Sequence, residues 1–559
     1  MRHVGKKLLK WKLSFDENDD SWDLFWADTS VLADKLARMK PYQRVNHFPG
    51  MHAIARKNHL GINLKRMSKL FPEEYNFFPK TWLLPSEYPD FKEQFKKGKS
   101  RTYILKPESS SQGRGIFLIR RIEQINMSEH YVAQRYIAKP FLIDGLKFDL
   151  RIYVLITGCD PLRIFIYEEG LTRFATETYK APTSNNLDDI CMHLTNYAVN
   201  KHNEKFIANH DADCDNIGHK RSLSSTLEYL ADKGYDVDEL WSGICDIVIK
   251  TLCSIQPHLA HIYRSCQPDD YSNGMCFEIL GFDIIIDHKL KPWLLEVNHS
   301  PSFSTESPLD RKIKKAVIKE AIDLMNITPQ DQKNYEAHKR AMVQKRMYSS
   351  SFSMIKEEKE QFRISCEAKR DKFEEKNSGG YIKIYPCEDK DYYSQFITGA
   401  REVWEKFTGS RTASIPKTRG NEVPTIRLKE TPEVPKRKVL IPSDSCNILD
   451  IPRVSRNPSE VFDRLFNASK PKGNIEKTPR PPRSPYEMYL PPKISSDQAL
   501  KSISSDKRIR ATSARVRSSD SVNNSFKEEK TAISIPKVVV FQTYRGSSPQ
   551  NSATSRVWY

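Results

Sequence analysis

MCFEILGFDIIIDHKLKPWLLEVNHSPSFST, residues 275–305, sets two apolar runs on either side of the polar turn His288-Lys289-Leu290-Lys291. Runs of that length around a short polar turn predict a β-hairpin. Folding about the turn places Asp283 opposite Glu296, and the strand period of two puts Asn298 on the same face. Their neighbours Phe282, Ile284, Leu295 and Val297 are apolar. Two carboxylates facing each other in apolar surroundings repel and are costly to desolvate, and a divalent cation removes both penalties. Two carboxylates and an amide oxygen are hard ligands, suited to Mg2+ shared with substrate phosphates rather than to zinc. The plainer alternative is that one carboxylate faces solvent or pairs with a lysine.

Working outward, TYILKPESSSQGRGIFLI (102–119) is a strand carrying Lys106, a Ser/Gly loop and a second strand. Gly113 and Gly115 let backbone amides approach a phosphate chain, and Lys106 adds positive charge. It is not a P-loop, which needs GxxxxGK[ST] running into a helix. A hairpin with a polar turn remains the alternative. YVAQRYIAKPFLIDGLKFDLRIYVLI (131–156) follows. Gln134-Arg135-Tyr136-Ile137 closes a short strand and offers backbone groups and an apolar wall to a base. Lys147, Asp149 and Arg151 alternate with Phe148 and Leu150, so the three charged residues share one strand face. They form either a polar floor under a nucleotide or an ion-pair ladder on a solvated face.

The chain has 559 residues, 38% hydrophobic and 29% charged, which predicts one large enzyme unit with extensions. Strand-like and helix-like runs alternate up to about residue 330, as in a mixed α/β (α+β) core. Strands are expected at 103–105, 116–119, 150–156, 163–167, 277–286 and 293–297, and helices at 222–230 and 238–252. Residues 331–410 are rich in charge and helix formers and predict a basic helical extension with little core of its own. Residues 411–559, with stretches such as TPRPPRSPYEMYLPPK and SDKRIRATSARVRSSD, predict a disordered tail. No internal repeat is present. Ten cysteines with no CxxC pair argue against a zinc ribbon or dithiol centre and for reduced thiols. The opening MRHVGKKLLKWKL lacks the apolar segment of a signal peptide, and no apolar run is long enough to span a bilayer. A net charge of +18 favours an acidic partner.

A phosphate loop, cationic lysines and a magnesium hairpin together resemble an ATP-grasp core, with the nucleotide between two sheets. SSSQGRGIFLI, QRYIAKPFLIDGLKFDLRIYVL, CMHLTNYAVNKH and LLEVNHSPSFSTESPLD are similar to the signature blocks of tubulin tyrosine ligase-like proteins. NHFPGM (46–51) and LFPEEYNFFPKTWLLP (70–85) resemble further family segments. The resemblance covers residues 3–330 and is nearest to the side-chain-elongating branch of the glutamylases. It implies that Lys106, Gln112, Gly113, Gln134, Arg135, Tyr136, Ile137, Lys147, Phe148, Asp149, Thr195 and Asn196 bind ATP. It implies that Asp283, Glu296 and Asn298 hold magnesium. Arg173, Tyr197, Ala198, Lys220 and Lys314 would hold the incoming glutamate, with Arg221 as an alternative to Lys220, and His299 would face the acceptor peptide. Lys147, Glu296 and Arg173 would be the catalytic residues.

Two departures stand out. Family members usually carry serine after Tyr197, whereas this chain has Ala198, so altered amino-acid affinity is expected. The chain begins almost inside the first family strand, at Met1-Arg2-His3-Val4, so a shortened amino-terminal subdomain is expected. The implied activity is ATP-dependent ligation of L-glutamate onto glutamate side chains in acidic tubulin tails through an acyl phosphate. The implied partner is the microtubule, engaged by Lys339, Arg340, Lys345 and Arg346 of the extension. The enzyme is expected as a cytoplasmic, cytoskeletal monomer, with cilium and basal body as further sites, and without nucleic acid or membrane. Cutting the chain after about residue 330 is expected to weaken microtubule binding more than ATP binding. Alternatives are a non-catalytic microtubule-binding protein of the same fold and a ligase for another amino acid such as glycine. A nucleic-acid binder rests on charge alone.

Overall fold

The computed structural model describes residues 1, 3–16, 20–96, 101–108, 110, 112–211, 213–348, 356–408 and 536–541. Nearly all of the tail expected over 411–559 therefore lies outside the described residues. The chain opens with a short helical turn at Val4–Leu8, not the strand expected there. It continues through β1 (Lys12–Ser14), β2 (Leu24–Ala27), α1 (Ala33–Arg38), β3 (Arg44–Val45), α2 (His52–Ala55) and α3 (Lys57–Leu70). A second sheet follows, built from β4 (Thr81–Leu84), β5 (Tyr103–Pro107), β6 (Phe117–Ile119) and β7 (Tyr131–Arg135), with α4 (Tyr88–Lys96) between its first two strands. Its order is β4-β7-β5-β6, which places Lys106 beside Val132 and Ile104 beside Gln134. The tight Ser/Gly loop joins β5 to β6, and Gln112, Gly113 and Gly115 all take positive φ there. Such φ values suit glycine and strain the glutamine.

The third and largest sheet takes β8 (Leu142–Ile143), β9 (Leu146–Cys159), β10 (Leu162–Tyr167), β11 (Leu171–Phe174), β12 (Lys220–Ser222), β13 (Glu278–Ile286) and β14 (Pro292–Asn298). Between β11 and β12 lie the single-turn helices α5 (Ile190–His193) and α6 (Tyr197–Asn200). After β12 come α7 (Leu223–Asp232), α8 (Val237–Cys253) and α9 (Gln256–Cys266), and α10 (Pro308–Leu324) follows β14. The long β9 shows why the sheet is buried on both sides. Ile152, Val154 and Ile156 enter one apolar cluster with α8 and α9, while Tyr153 and Leu155 enter another with Ile313, Val317 and Ala321 of α10. Period-two alternation with both faces apolar makes a central strand. Among the described cysteines none is paired, and Cys159, Cys253 and Cys276 are core residues. No described helix is long and apolar enough to cross a membrane.

The extension departs from expectation. It forms α11 (Pro329–Tyr348), α12 (Lys356–Asn377), β15 (Tyr381–Tyr385) and α13 (Lys390–Thr408). α11 stands largely exposed, touching the body where Tyr335 meets Tyr42. β15 extends the large sheet by pairing antiparallel with β10. α13 buries Phe396 against Phe71 and Tyr75 in edge-to-face contacts. α12 is fastened through Arg370, which donates to the carbonyls of Thr157, Ser272 and Asn273. Arg163 of β10 in turn pairs with Asp371 and Glu374. These pieces complete the folded body instead of trailing from it. Residues 331–410 also carry a net charge of only +2, whereas 411–559 carry +14 of the chain's +18. Finally, β16 (Lys537–Phe541), expected within the tail, lies between β1 and β2 in the order β1-β16-β2-β3.

Candidate active site

β13 and β14 pair with Asp283 opposite Glu296 and Asn298 opposite Gly281, the register expected from the hairpin turn. β13 also pairs with β9, which sets Asp283 beside Arg151. Arg151 grips the Asp283 carboxylate at 2.5 and 3.0 Å. Arg173 of β11 reaches the same carboxylate at 2.9 Å and holds Asp149 of β9 at 2.8 and 2.5 Å. Arg151, Asp283, Arg173 and Asp149 thus form a buried line of alternating charge. Of the two alternatives for the charged face of β9, the ion-pair ladder is present at Asp149 and Arg151, and it is buried, not solvated. Burial alone would raise the Asp283 carboxyl, but Arg151 and Arg173 outweigh it and hold the group well below the usual carboxylate range. Burial raises Glu296, and the neighbouring Asp283 raises it further against the pull of Lys106.

These residues fit a hard divalent cation. Burial first and the like charge of Asp283 second push Glu296 upward, and a shared cation would relieve both. The Asn298 carboxamide lies 3.3 Å from Glu296 Oε1 and 3.5 Å from Asp283 Oδ2, and turning it over presents its oxygen. No group of three or more His, Cys, Asp or Glu converges as a metal site among the described residues. A cation here would need further oxygens from outside the chain, as magnesium bound with a polyphosphate does.

Beside the hairpin, between the second and third sheets, is a cleft. Lys106, Gln112, Gly113, Gln134, Arg135, Tyr136, Ile137, Lys147, Asp149, Thr195 and Asn196 all line it, with Asp283 and Glu296 at its floor. Phe148 does not. Its ring packs against Phe174 in the core, because it alternates with Lys147 and Asp149 on β9. Lys106 donates to Gln134 Oε1 at 2.9 Å. Lys147 donates to Tyr136 Oη at 3.0 Å and to the His193 carbonyl at 2.6 Å. Burial lowers Lys147 to about 7, Asp149 opposing and Lys106 assisting, and lowers Lys106 to about 8. Ile104, Ile116, Leu194, Ile285 and Leu295 give the cleft apolar walls that suit a base.

The cleft meets a larger groove at Lys57, Gln112, Asn196 and Glu296, which line both. Arg173, Tyr197, Ala198, Lys220, Asn298, His299 and Lys314 all line the groove. Lys220 and Lys314 converge on Asp310 at 2.7 and 2.9 Å, and Lys220 Nζ sits 3.8 Å over the Tyr197 ring. Arg221 points away to Asp144, 2.6 Å distant, so of the two alternatives Lys220 faces the groove. His299 Nε2 shares a hydrogen bond of 3.0 Å with Ser30 Oγ. Sequence reasoning missed Lys57, His193 and Asp310. Asp310 had a readable signal, since Ser307-Pro308-Leu309-Asp310 is a helix capping box and the side chain caps α10 while holding two lysines. Lys57 and His193 act through tertiary placement and left no local mark.

The profile of the tubulin-tyrosine ligase family matches residues 35–335. The chain is 52% identical over 415 residues to a "probable beta-tubulin polyglutamylase" of Tetrahymena thermophila, covering 73% of this chain and 35% of that protein. It is 47% identical over 416 residues to the mouse (Mus musculus) tubulin polyglutamylase TTLL13, covering 74% of this chain and 51% of that one. It is 47% identical over 393 residues to the human (Homo sapiens) tubulin polyglutamylase TTLL6, covering 70% and 44%. The chain thus spans about a third to a half of the length of the curated relatives it matches. With the family profile covering more than half of its residues, the chain belongs to the tubulin-tyrosine ligase family.

Proposed function

We propose that the chain is an ATP- and magnesium-dependent ligase that adds L-glutamate to glutamate side chains in the acidic carboxy-terminal tails of tubulin, favouring elongation over initiation. The observation that carries this reading is the junction of two compartments. A cleft with Lys106 and Lys147 opens at Gln112, Asn196 and Glu296 into a groove with Arg173, Lys220, Lys314 and His299. A nucleotide in the first would present its terminal phosphate to a carboxylate in the second. The relatives named as tubulin polyglutamylases support the choice of acceptor.

In this mechanism Lys106 and Lys147 hold the polyphosphate, with Tyr136 and the His193 carbonyl fixing Lys147. Asp283, Glu296 and Asn298 would hold magnesium, which supplies charge neutralisation at the transferring phosphoryl group. The acceptor carboxylate takes the γ-phosphoryl group, the β,γ P–O bond breaks, and ADP leaves. The resulting acyl phosphate is attacked at carbon by the amine of free glutamate, inorganic phosphate departs, and the nitrogen loses a proton. The product is an isopeptide bond on a first residue or a peptide bond on a growing chain. The protein's part is to position the reactants and neutralise charge, so no enzyme nucleophile is required. Lys220 and Lys314 share the single carboxylate of Asp310, and the positive charge left over favours a dianionic amino acid over glycine. The site of action is the cytoskeleton, with cilium and basal body as further places, and the working form is a monomer. Mass spectrometry of tubulin tails after incubation with the protein, ATP and glutamate tests the reading. Ladders of glutamate additions are expected, and tails unchanged in mass would overturn it.

A further inference from the structure

β16 occupies an interior place in the amino-terminal sheet. Lys537, Val538 and Val539 lie parallel to Lys12, Leu13 and Ser14 on one side. Val538 to Phe541 lie parallel to Leu24 to Ala27 on the other. The Lys12 amide donates to the Pro536 carbonyl at 3.0 Å and the Asp23 amide to the Lys537 carbonyl at 2.8 Å. The Lys537 amide donates in return to Asp23 Oδ2 at 2.7 Å. Val538 enters the apolar cluster of Val4, Leu24 and Trp26, and Val539 the opposite one of Phe25 and Val45. Both valines are fully buried. Lifting these residues out would leave the facing edges of β1 and β2 unpaired and a row of amides without partners.

We propose that the slot between β1 and β2 is a binding site for an extended apolar peptide, whose ligand is this chain's own residues 536–541, and that its occupancy sets the lip of the groove. The ligand class follows from the contacts. Main-chain pairing on both edges gives affinity, and two opposed apolar side chains give specificity, as in recognition by strand addition. The connection to the groove runs along β2. Its last residue, Ala27, is held through both backbone groups by Asn46, at 2.7 and 2.8 Å, and its carbonyl also accepts from His47 Nε2 at 3.0 Å. The next residues, Asp28 to Leu32, line the groove, and Ser30 bonds His299. A strand that fixes the register of β2 therefore fixes the lip. The effect on acceptor binding rests on the function proposed above, whereas occupancy of the slot does not.

The test uses the full chain with a protease site inserted between residues 520 and 530, cleaved after folding. The carboxy-terminal fragment should co-elute with the body on gel filtration. A labelled peptide of residues 533–544 should displace it, and a V538D/V539D peptide should not. A fragment that separates at once from a folded body overturns the site, as does assembly into dimers in which each copy takes the other's strand. Once the fragment is displaced and washed away, amide exchange of residues 28–33 should accelerate roughly fivefold or more. The acceptor KM should rise by a similar factor while nucleotide affinity holds. Unchanged exchange at the lip overturns the coupling, even in a preparation that ligates nothing.

Discussion

Replacing Lys147 by methionine should change how many protons the chain takes up when it binds nucleotide. Burial places Lys147 at about 7 and Lys106 at about 8 in the absence of a polyphosphate. At pH 8 that leaves Lys147 roughly one-tenth and Lys106 roughly one-half protonated. An anionic ligand against both nitrogens restores both charges, so binding should draw roughly 1.4 protons from solution at pH 8 and only about 0.1 at pH 6. Calorimetry of ADP binding at pH 8, in buffers of different ionisation enthalpy, reads the number directly. Lys147→Met should cut the uptake at pH 8 to roughly half a proton, the share of Lys106. The same shift has a stability sign. Between about 7 and the ordinary 10.5 the folded chain binds fewer protons at Lys147 than the unfolded chain does. Resistance to urea should therefore rise with pH across that window, and the substitution should flatten the rise. Uptake near zero at pH 8, or uptake unaltered by Lys147→Met, would refute the reasoning.

Glu296→Gln should abolish ATP-dependent incorporation of labelled glutamate while the melting temperature stays within a few degrees; full activity would sink the metal assignment. Gly113→Ala should weaken nucleotide binding about tenfold, measured by calorimetry, because φ is +82° and the new methyl would sit 2.8 Å from Val199 and 3.1 Å from Asn196. Glu374→Ala leaves Arg163 with Asp371 alone and Arg370 with its three carbonyls but no carboxylate, and should cost ~2–3 kcal/mol in urea unfolding. Lys339→Glu with Arg340→Glu, both exposed on α11, should lower microtubule co-sedimentation severalfold at low salt, the difference shrinking as salt is added. These point changes replace the cut after residue 330, which would strip β15 and α13 from the body and confound binding with unfolding.

The legible parts of this molecule were those written in short-range patterns. Asp283 could be set opposite Glu296 because a turn and two apolar runs determine a hairpin register. Lys147 and Asp149 could be set on one face because β9 alternates. The same alternation should have barred Phe148 from the cleft, and its assignment there came from resemblance alone. What stayed hidden depends on partners far away in the chain. Nothing near Arg370 announces that it will cap three carbonyls between residues 157 and 273, and its surroundings, rich in Lys and Glu, look like a solvated helix. Phe396 is a different case: with Tyr392, Tyr393, Ile397, Ala400, Val403 and Trp404 it repeats at helical spacing, a readable apolar face, and only its partners Phe71 and Tyr75 were beyond local reach. Arg151 and Arg173 pinning Asp283 likewise follow from strand order, which no local spacing encodes.

The parallel pairing of Asp23 with Lys537 joins positions 514 residues apart. A ribosome delivers the first of these long before the second, so the opening sheet must wait, incomplete, through most of translation. The last place in that sheet would then be filled only once the late valines emerge, so the lip that β2 leads into, residues 28–32, is among the last features of the molecule to be set.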